Sequence, residues 1–268
     1  MHATPHPPYS LQPIGVFRSA SRYRLEQPQQ GVHNALQPGR VEFYPGCNYE
    51  QALQDLDGFD RVWLVFVFHG NVDKKWRPKA APPQPPPGRK RVGLFASRSP
   101  YRPCPIGISC VKLVAVGSLH LDVVESDLLD GTPILDIKPY IPAFDAFPAA
   151  RAGWTELRAV DEWAVIPEAE FLRRSDWVRE RTGLDCLHAA TVQLGRNPLD
   201  KRRKRVSTVD GQSGMLAYRT WRIVFAIDAE ENRVTLRSIK SGYDDLADTS
   251  RPDRWGDRGI HRLFERMF

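Results

Sequence analysis

The stretch from residue 61 to residue 140 most constrains what this chain can fold into. Arg61–Phe68 is rich in β-branched and aromatic residues and reads as a buried strand. Beyond it, Trp76 to Gly88 contains Pro78, Pro82, Pro83, Pro85, Pro86 and Pro87. Proline fixes φ and removes a backbone donor, so an extended surface loop is expected there. Lys90–Ala96 and Pro133–Ile137 read as further strands, the latter ended by Pro139 and Pro142. Ser109–Val116 and Leu119–Glu125 read as a hairpin around Gly117-Ser118. Upstream, residues 12–17 and 39–44 look like short strands. Only Tyr49 to Leu56, apolar at 49, 52, 53 and 56, has helical spacing, and Asp57-Gly58 stops it. Many strands without β-α-β alternation predict a mostly β chain whose N-terminal domain is an antiparallel barrel or sandwich, not a doubly wound sheet.

The second half reads differently. Residues 143–160 hold an Ala/Pro-rich stretch and mark a domain boundary. Pro167-Glu168 opens a helix expected to run to about Thr182, with Gly183 as its stop. Tyr218–Ile227 and Arg233–Ile239 read as strands joined by Asp228–Asn232. These predict a small α+β domain over residues 160–243, following a barrel over 12–150. Residues 1–11 read as a disordered tail, and 244–268 as a C-terminal extension with a helix-like end, Ile260–Met267, expected to pack on the rest.

The balance of charge is basic, with a net charge of +6, and 29 of the 38 cationic residues are Arg. Arg presents a planar fork suited to phosphates and bases. Lys201-Arg202-Arg203-Lys204-Arg205 is an unbroken cationic run, and a second basic region extends from Arg89 through Arg91 to Arg98 and Arg102. Such runs suit a polyanion or a solvated surface. The longest apolar run, Val62 to Phe68, is far too short to span a bilayer, so no membrane partner is expected. The N-terminus lacks the features of a signal peptide, and none of the four cysteines forms a C-x-x-C pair. A soluble cytoplasmic protein without a zinc site is the expectation.

The densest chemistry lies in Gly93-Leu-Phe-Ala-Ser-Arg-Ser-Pro-Tyr-Arg-Pro-Cys-Pro-Ile-Gly-Ile-Ser109. Three prolines and two glycines force its backbone to turn repeatedly between apolar strands, and loops on a rigid scaffold are where sites are placed. Asp130-Gly131-Thr132-Pro133 makes a second tight turn, leading into Ile134–Tyr140. Together these strings closely resemble the signature of the TsaA/TrmO-like family of S-adenosylmethionine-dependent tRNA methyltransferases. Ile14–Ser19, Asp57–His69 and Trp76-Arg77-Pro78 extend the resemblance over roughly residues 12–145. Arg196–Pro198 and Tyr218–Ser238 match more loosely.

The resemblance implies a β-barrel methyltransferase, consistent with the lack of a usable G-x-G-x-x-G. It implies a homodimer and methyl transfer to N6 of N6-threonylcarbamoyladenosine beside the anticodon of certain tRNAs. Carried over by motif, the cofactor pocket draws on Pro28-Gln29-Gln30, on His69 and Gly70, on Arg98, on Ile108 and on Asp130, Gly131, Thr132 and Pro133. Asp130 is then a partner for the cofactor's ammonium or ribose, and Arg98 for its carboxylate. His69 is the candidate base for the N6 proton, with Asp136 and Tyr140 as weaker candidates. Arg102 is assigned the substrate's threonyl carboxylate. Lys201, Arg202, Arg203, Lys204 and Arg205 would grip phosphates of the anticodon arm, and Tyr218 or Trp221 would stack on a base or belong to the hairpin core. The family usually reads Arg-Pro-Asn-Pro, where this chain has Arg102-Pro103-Cys104-Pro105. Two other readings fit the residues: a non-catalytic cofactor- or RNA-binding adaptor, and a methyltransferase with a small-molecule acceptor.

Overall fold

The computed structural model describes residues 9–23, 26, 38–82, 88, 90–157, 162–196, 198–199, 205–208, 212–248 and 252–268. The chain divides into two compact units, one of residues 1–22 and 29–158, the other of residues 23–28 and 159–268.

The first unit is built on β1 (Gly15–Ser19), β2 (Gly39–Phe43), helix α1 (Tyr49–Ala52) and β3 (Arg61–Val67). There follow β4 (Lys79–Ala80), β5 (Val92–Gly93), β6 (Ile106–Val116), β7 (His120–Val124), β8 (Thr132–Pro139) and the short helix α2 (Pro142–Asp145). Six strands close an antiparallel barrel in the order β1-β2-β7-β6-β3-β8. Alternation decides what lies inside. Along β3, Val62, Leu64 and Phe66 are buried, and they meet Phe17, Val41, Val111, Leu121, Val123 and Ile134 in the core. Closure satisfies every strand edge of the barrel, as the turn-rich sequence without crossover helices demands.

Two expectations for this unit need correction. Lys90–Ala96 is not a full strand. Only Val92–Gly93 pairs, with Lys79–Ala80, and a 3-10 turn at Leu94–Ala96 follows. Pro78 and Pro82 flank β4 and leave it too short to template more. The expected helix from Tyr49 to Leu56 stops at Ala52, because Asp55 takes a left-handed conformation (φ 64°) before a 3-10 turn at Leu56–Gly58. Tyr49, Leu53 and Leu56 still pack on the barrel core.

The second unit contains β9 (Ala164–Pro167), α3 (Ala169–Thr182), α4 (Cys186–Leu194), β10 (Val206–Thr208), β11 (Ser213–Tyr218), β12 (Trp221–Asp228), β13 (Arg233–Ser241) and α5 (Arg258–Met267). Its sheet runs β10-β11-β12-β13-β9, with β9 parallel to β13. Helix α3 begins after Glu168 and ends at Gly183 in the left-handed region, where glycine carries no Cβ penalty. The expected strand Tyr218–Ile227 holds from Trp221 onward as β12, but its first residues form the turn of a hairpin. Tyr218 pairs with Trp221, and Arg219 takes φ 52°, so the chain reverses at Arg219-Thr220. Trp221 is buried, as its core reading expected, and stacks on His261 of α5 with ring centroids 3.8 Å apart. Helix α5 therefore belongs to this unit's core through Phe264.

Candidate active site

Strand direction alternates around the barrel, so one rim collects the C-terminal ends of β1, β3 and β7 and the N-terminal starts of β2, β6 and β8. Most of the residues carried over by motif sit at the segments leaving this rim. Residues Asp130 to Pro133 lie where the chain enters β8, His69 and Gly70 where it leaves β3, and the Arg98–Pro105 loop where it enters β6.

The turn at Asp130 is pinned from both sides. Its amide donates to the Ser21 carbonyl at 2.8 Å, and the Gly131 amide to the Phe17 carbonyl at 2.8 Å. Gly131 has φ 77°, a conformation that favours glycine and explains the Asp-Gly pair. Thr132 is buried, and its hydroxyl donates to the Leu129 carbonyl at 2.8 Å. Asp130 Oδ1 accepts the Ser19 amide at 3.1 Å. Its other oxygen has no hydrogen bond among the described residues. Asp130 lines a cavity of about 340 Å³ together with Arg18, Ser19, Pro38, Gly39, Arg40 and Asp122. Both arginines there are already ion-paired, Arg18 with Glu42 at 2.9 Å and Arg40 with Asp122 at 2.6 Å. Asp130 feels Arg18 only through space, without an ion pair, so its free oxygen fits a cationic ligand or a hydroxyl donor.

The Arg98 loop is shaped by its own serines. Ser97 Oγ donates to the Leu94 carbonyl at 2.7 Å, and Ser99 N–H donates back to Ser97 Oγ at 3.4 Å. Arg102 Nη1 donates to the carbonyls of Ser97, at 2.9 Å, and Ser99, at 3.4 Å, and its guanidinium lies over the Phe95 ring. Arg102 thus braces the loop from within. The Phe68 amide donates to the Pro105 carbonyl at 2.7 Å, which ties the loop's end beside His69. His69 and Gly70 are exposed in a 3-10 turn that ends at Asn71. Asn71 Nδ2 is buried with no partner among the described residues, a donor placed next to the carried-over pair. Cys104 is exposed and unpaired with any other cysteine.

The structure adds a carboxylate that the sequence reading passed over. Asp127 accepts from Ser109 Oγ at 2.5 Å and lies within electrostatic reach of Arg98. Burial holds its carboxyl above the usual carboxylate range, against the opposing pull of Ser109 and Arg98. Its position three residues before Asp130 in Ser126-Asp-Leu-Leu-Asp-Gly was the available signal.

Other assigned residues fall elsewhere. Tyr140 is a correction: its amide donates to the Arg61 carbonyl at 3.0 Å and its ring packs on Trp63, at the rim opposite His69. The eight residues of β8 separate it from the Asp130 turn, a length of roughly 26 Å, so within one chain it cannot share their chemistry. Asp136 pairs with Lys138 at 2.8 Å, as a structural carboxylate would. Ile108 is exposed on the outer face of β6, opposite Val65. Tyr218 is half-buried against the second unit's core, and burial pushes its phenol far up. Arg205 is described and exposed. Pro28, Gln29, Gln30 and Lys201, Arg202, Arg203 and Lys204 lie outside the described residues.

Comparison with known proteins bears on the family. A family model, the tRNA-methyltransferase O N-terminal domain, matches residues 16–146. The tRNA (adenine(37)-N6)-methyltransferase of Escherichia coli is 36% identical over 166 residues, covering 60% of this chain and 70% of that protein. A Pyrococcus abyssi protein described as an S-adenosyl-L-methionine-binding protein is 37% identical over 145 residues, covering 54% of this chain and 75% of that one. The crystal structure of TrmO from Pseudomonas aeruginosa superposes with a TM-score of 0.65 at 25% identity, over 87% of this chain and 99% of that one. A barrel whose rim carries the Asp-Gly-Thr-Pro turn and the Arg98 loop, matched over 70% of the Escherichia coli enzyme, belongs to the TrmO family of methyltransferases.

Proposed function

We propose that this chain is an S-adenosylmethionine-dependent tRNA methyltransferase that methylates N6 of the adenosine beside the anticodon, with the threonylcarbamoyl form of that adenosine as its acceptor. Membership of the family supports the reaction. The observation on this chain that supports it most is that the strand order brings the Asp130 turn, the Arg98 loop and the buried Asn71 donor to one rim of the barrel.

These residues suit the cofactor, which carries an ammonium, a carboxylate, ribose hydroxyls and a base edge. Asp130 takes the ammonium or a ribose hydroxyl, Arg98 the carboxylate, and Asn71 Nδ2 an acceptor. S-adenosylmethionine supplies an electrophilic methyl group borne on a sulfonium. The chain's own work is chiefly to hold the acceptor nitrogen in line, because orientation alone removes much of such a barrier. Asp127 attracts the Arg98 guanidinium through space and so helps to orient it. His69 takes the N6 proton, which must leave for the product to be neutral. Arg102, with Nη1 committed to the loop, holds that loop in shape and offers its remaining donors to the substrate's carboxylate. The homodimer, the cytoplasmic setting and the contact of Lys201–Arg205 with the anticodon arm belong to this same reading. No helix among the described residues is long and apolar enough to cross a membrane.

The test is transfer of labelled methyl from S-adenosylmethionine to total tRNA from cells with and without the threonylcarbamoyl modification, followed by digestion to nucleosides. Label in N6-methylated threonylcarbamoyladenosine, only with modified tRNA, is the expected result. Cofactor binding without transfer would move the acceptor elsewhere, and loss of cofactor binding would leave an adaptor.

A further inference from the structure

A second cavity, of about 730 Å³, opens in the barrel unit and is lined by Lys79, Lys90, Arg91, Val92, Gly93, Ala96 and Trp154. Nothing in the methyl-transfer reading uses it. Its construction is specific. The β4–β5 pair sets Lys79 directly across from Gly93, with Arg91 just before β5. The Trp154 indole closes the wall, held by its Nε1 donating to the Ala96 carbonyl at 2.7 Å. Lys79, Lys90 and Arg91 are all exposed, and none of the three is ion-paired among the described residues. Three uncompensated cations around one cavity make a site for an anion, and its floor of backbone and apolar atoms leaves room beside the charge for a ring.

The surroundings continue the pattern. The 3-10 turn Leu94–Ala96 runs directly from the cavity into the Arg98 loop. Its middle residue, Phe95, is 78% exposed. Lys74 and Arg77 flank the Tyr101 ring at 5.9 and 5.8 Å. Cations interleaved with exposed rings are the makeup of a surface that tracks an unpaired nucleic-acid strand, with phosphates on the cations and bases on the rings.

We infer that the Lys79–Lys90–Arg91 cavity binds a backbone phosphate of single-stranded RNA one or two nucleotides from the methylated adenosine, with Phe95 as a stacking platform beside it. The inference rests on the tRNA methyltransferase reading and deepens it. The barrel unit itself grips the RNA strand, in addition to any grip by Lys201–Arg205. This gives the enzyme a way to present one loop nucleotide to the rim while the neighbouring backbone is fixed nearby.

The experiment uses the full chain and an anticodon stem-loop RNA that carries threonylcarbamoyladenosine in its loop, with binding followed by fluorescence anisotropy over a range of salt. The Lys79→Ala/Lys90→Ala/Arg91→Ala variant is expected to bind at least tenfold more weakly. Its salt slope of log affinity should be smaller by about 0.7, the contribution of one single-strand phosphate contact. Phe95→Ala is expected to weaken binding with the salt slope unchanged, because stacking releases no counterions. Binding of S-adenosylmethionine by calorimetry stays at the parental value in the triple variant, which shows that the fold survives. If the parental protein binds the RNA but the triple variant keeps its affinity and slope, the inference is overturned and the function stands. If the parental protein does not bind the RNA at all, both are overturned.

Discussion

At the scale of the residue, the site depends on two acids with opposite tasks. Asp130 is anchored by one oxygen to the Ser19 amide and keeps the other available, so its charge is presented, not spent. Asp130→Asn keeps the shape and removes the charge. Charge-assisted hydrogen bonds contribute about 1.5–3 kcal/mol, so the Kd for S-adenosylmethionine is expected to rise by roughly 10–100-fold, read by calorimetry. Asp127 is a different case. Its carboxyl is held above the ordinary value by burial, so the folded chain binds its proton more tightly than the unfolded chain does. The stability linked to this group is therefore complete below the ordinary carboxylate pKa and is lost as pH rises through the raised one. Asp127→Asn should stabilise the barrel unit more at pH 7 than at pH 4 in denaturant unfolding, while weakening cofactor binding through Arg98. An equal effect at both pH values would show that the carboxyl carries no burial penalty. Retaining such a penalty beside Arg98 is what a positioning role demands, and it separates Asp127 from a residue kept for stability.

At the scale of the element, turn chemistry was legible and register was not. The Asp130–Pro133 turn and the Arg98–Pro105 loop could be read because Gly131, Pro103 and Pro105 allow few backbone paths. The barrel strands could be read because alternation or β-branched composition names them. Tyr140 falls at the other rim of its own chain, because alternation tells which face a residue takes but not which rim it reaches. That depends on β8 pairing with β3 over its whole length. Helix α4 escaped because its buried residues include the small Cys186, Ala189 and Ala190, which give little periodic contrast. The turn at Arg219 escaped because neither Arg219 nor Thr220 is a residue that marks such a reversal. Helix α5 shows what packing adds. His261 is fully buried, stacked on Trp221, with Nδ1 2.9 Å from Ser241 Oγ and Nε2 3.1 Å from Thr220 Oγ1. Burial outweighs the pull of Asp257 and Glu265 and lowers its pKa below 6.5, with Arg222 acting in the same direction. The unfolded chain then binds the proton more readily, so this contribution is complete above pH 6.5 and is lost as pH falls below it. His261→Phe keeps the stacking and removes the titration. The variant is expected to lose about 1–3 kcal/mol at pH 7.5 from the polar groups left unpaired. Its unfolding free energy should also change less between pH 7.5 and 5.5 than the parental protein's, as measured by urea titration.

At the scale of the whole molecule, the +6 charge suits the RNA substrate proposed above. The sequence offered two basic regions, and they differ in kind. The region from Lys90 to Arg102 is built into the barrel unit, next to the rim chemistry, where geometry can make its contacts specific. Lys201–Arg205 is a dense run of charge whose effect on a polyanion depends on number more than on shape. Replacing all five of its cations by Ala should therefore weaken tRNA binding at low salt and reduce the slope of log affinity against log salt by up to about 3.5. Cofactor affinity should not change, because none of the five cations is among the assigned cofactor contacts. Combining this change with the Lys79/Lys90/Arg91 substitutions distinguishes two arrangements. If both regions hold the same RNA at once and are far apart, their losses add on the logarithmic scale, within the usual error for independent sites. If they compete for the same phosphates, the second set of substitutions costs little once the first is made. Additive losses in Kd, with the loss of turnover on a short stem-loop falling mainly on the barrel variant, would mean that Lys201–Arg205 supplies capture and the barrel supplies alignment. The reverse pattern would assign alignment to the second unit and would reduce the barrel cavity to a source of general attraction.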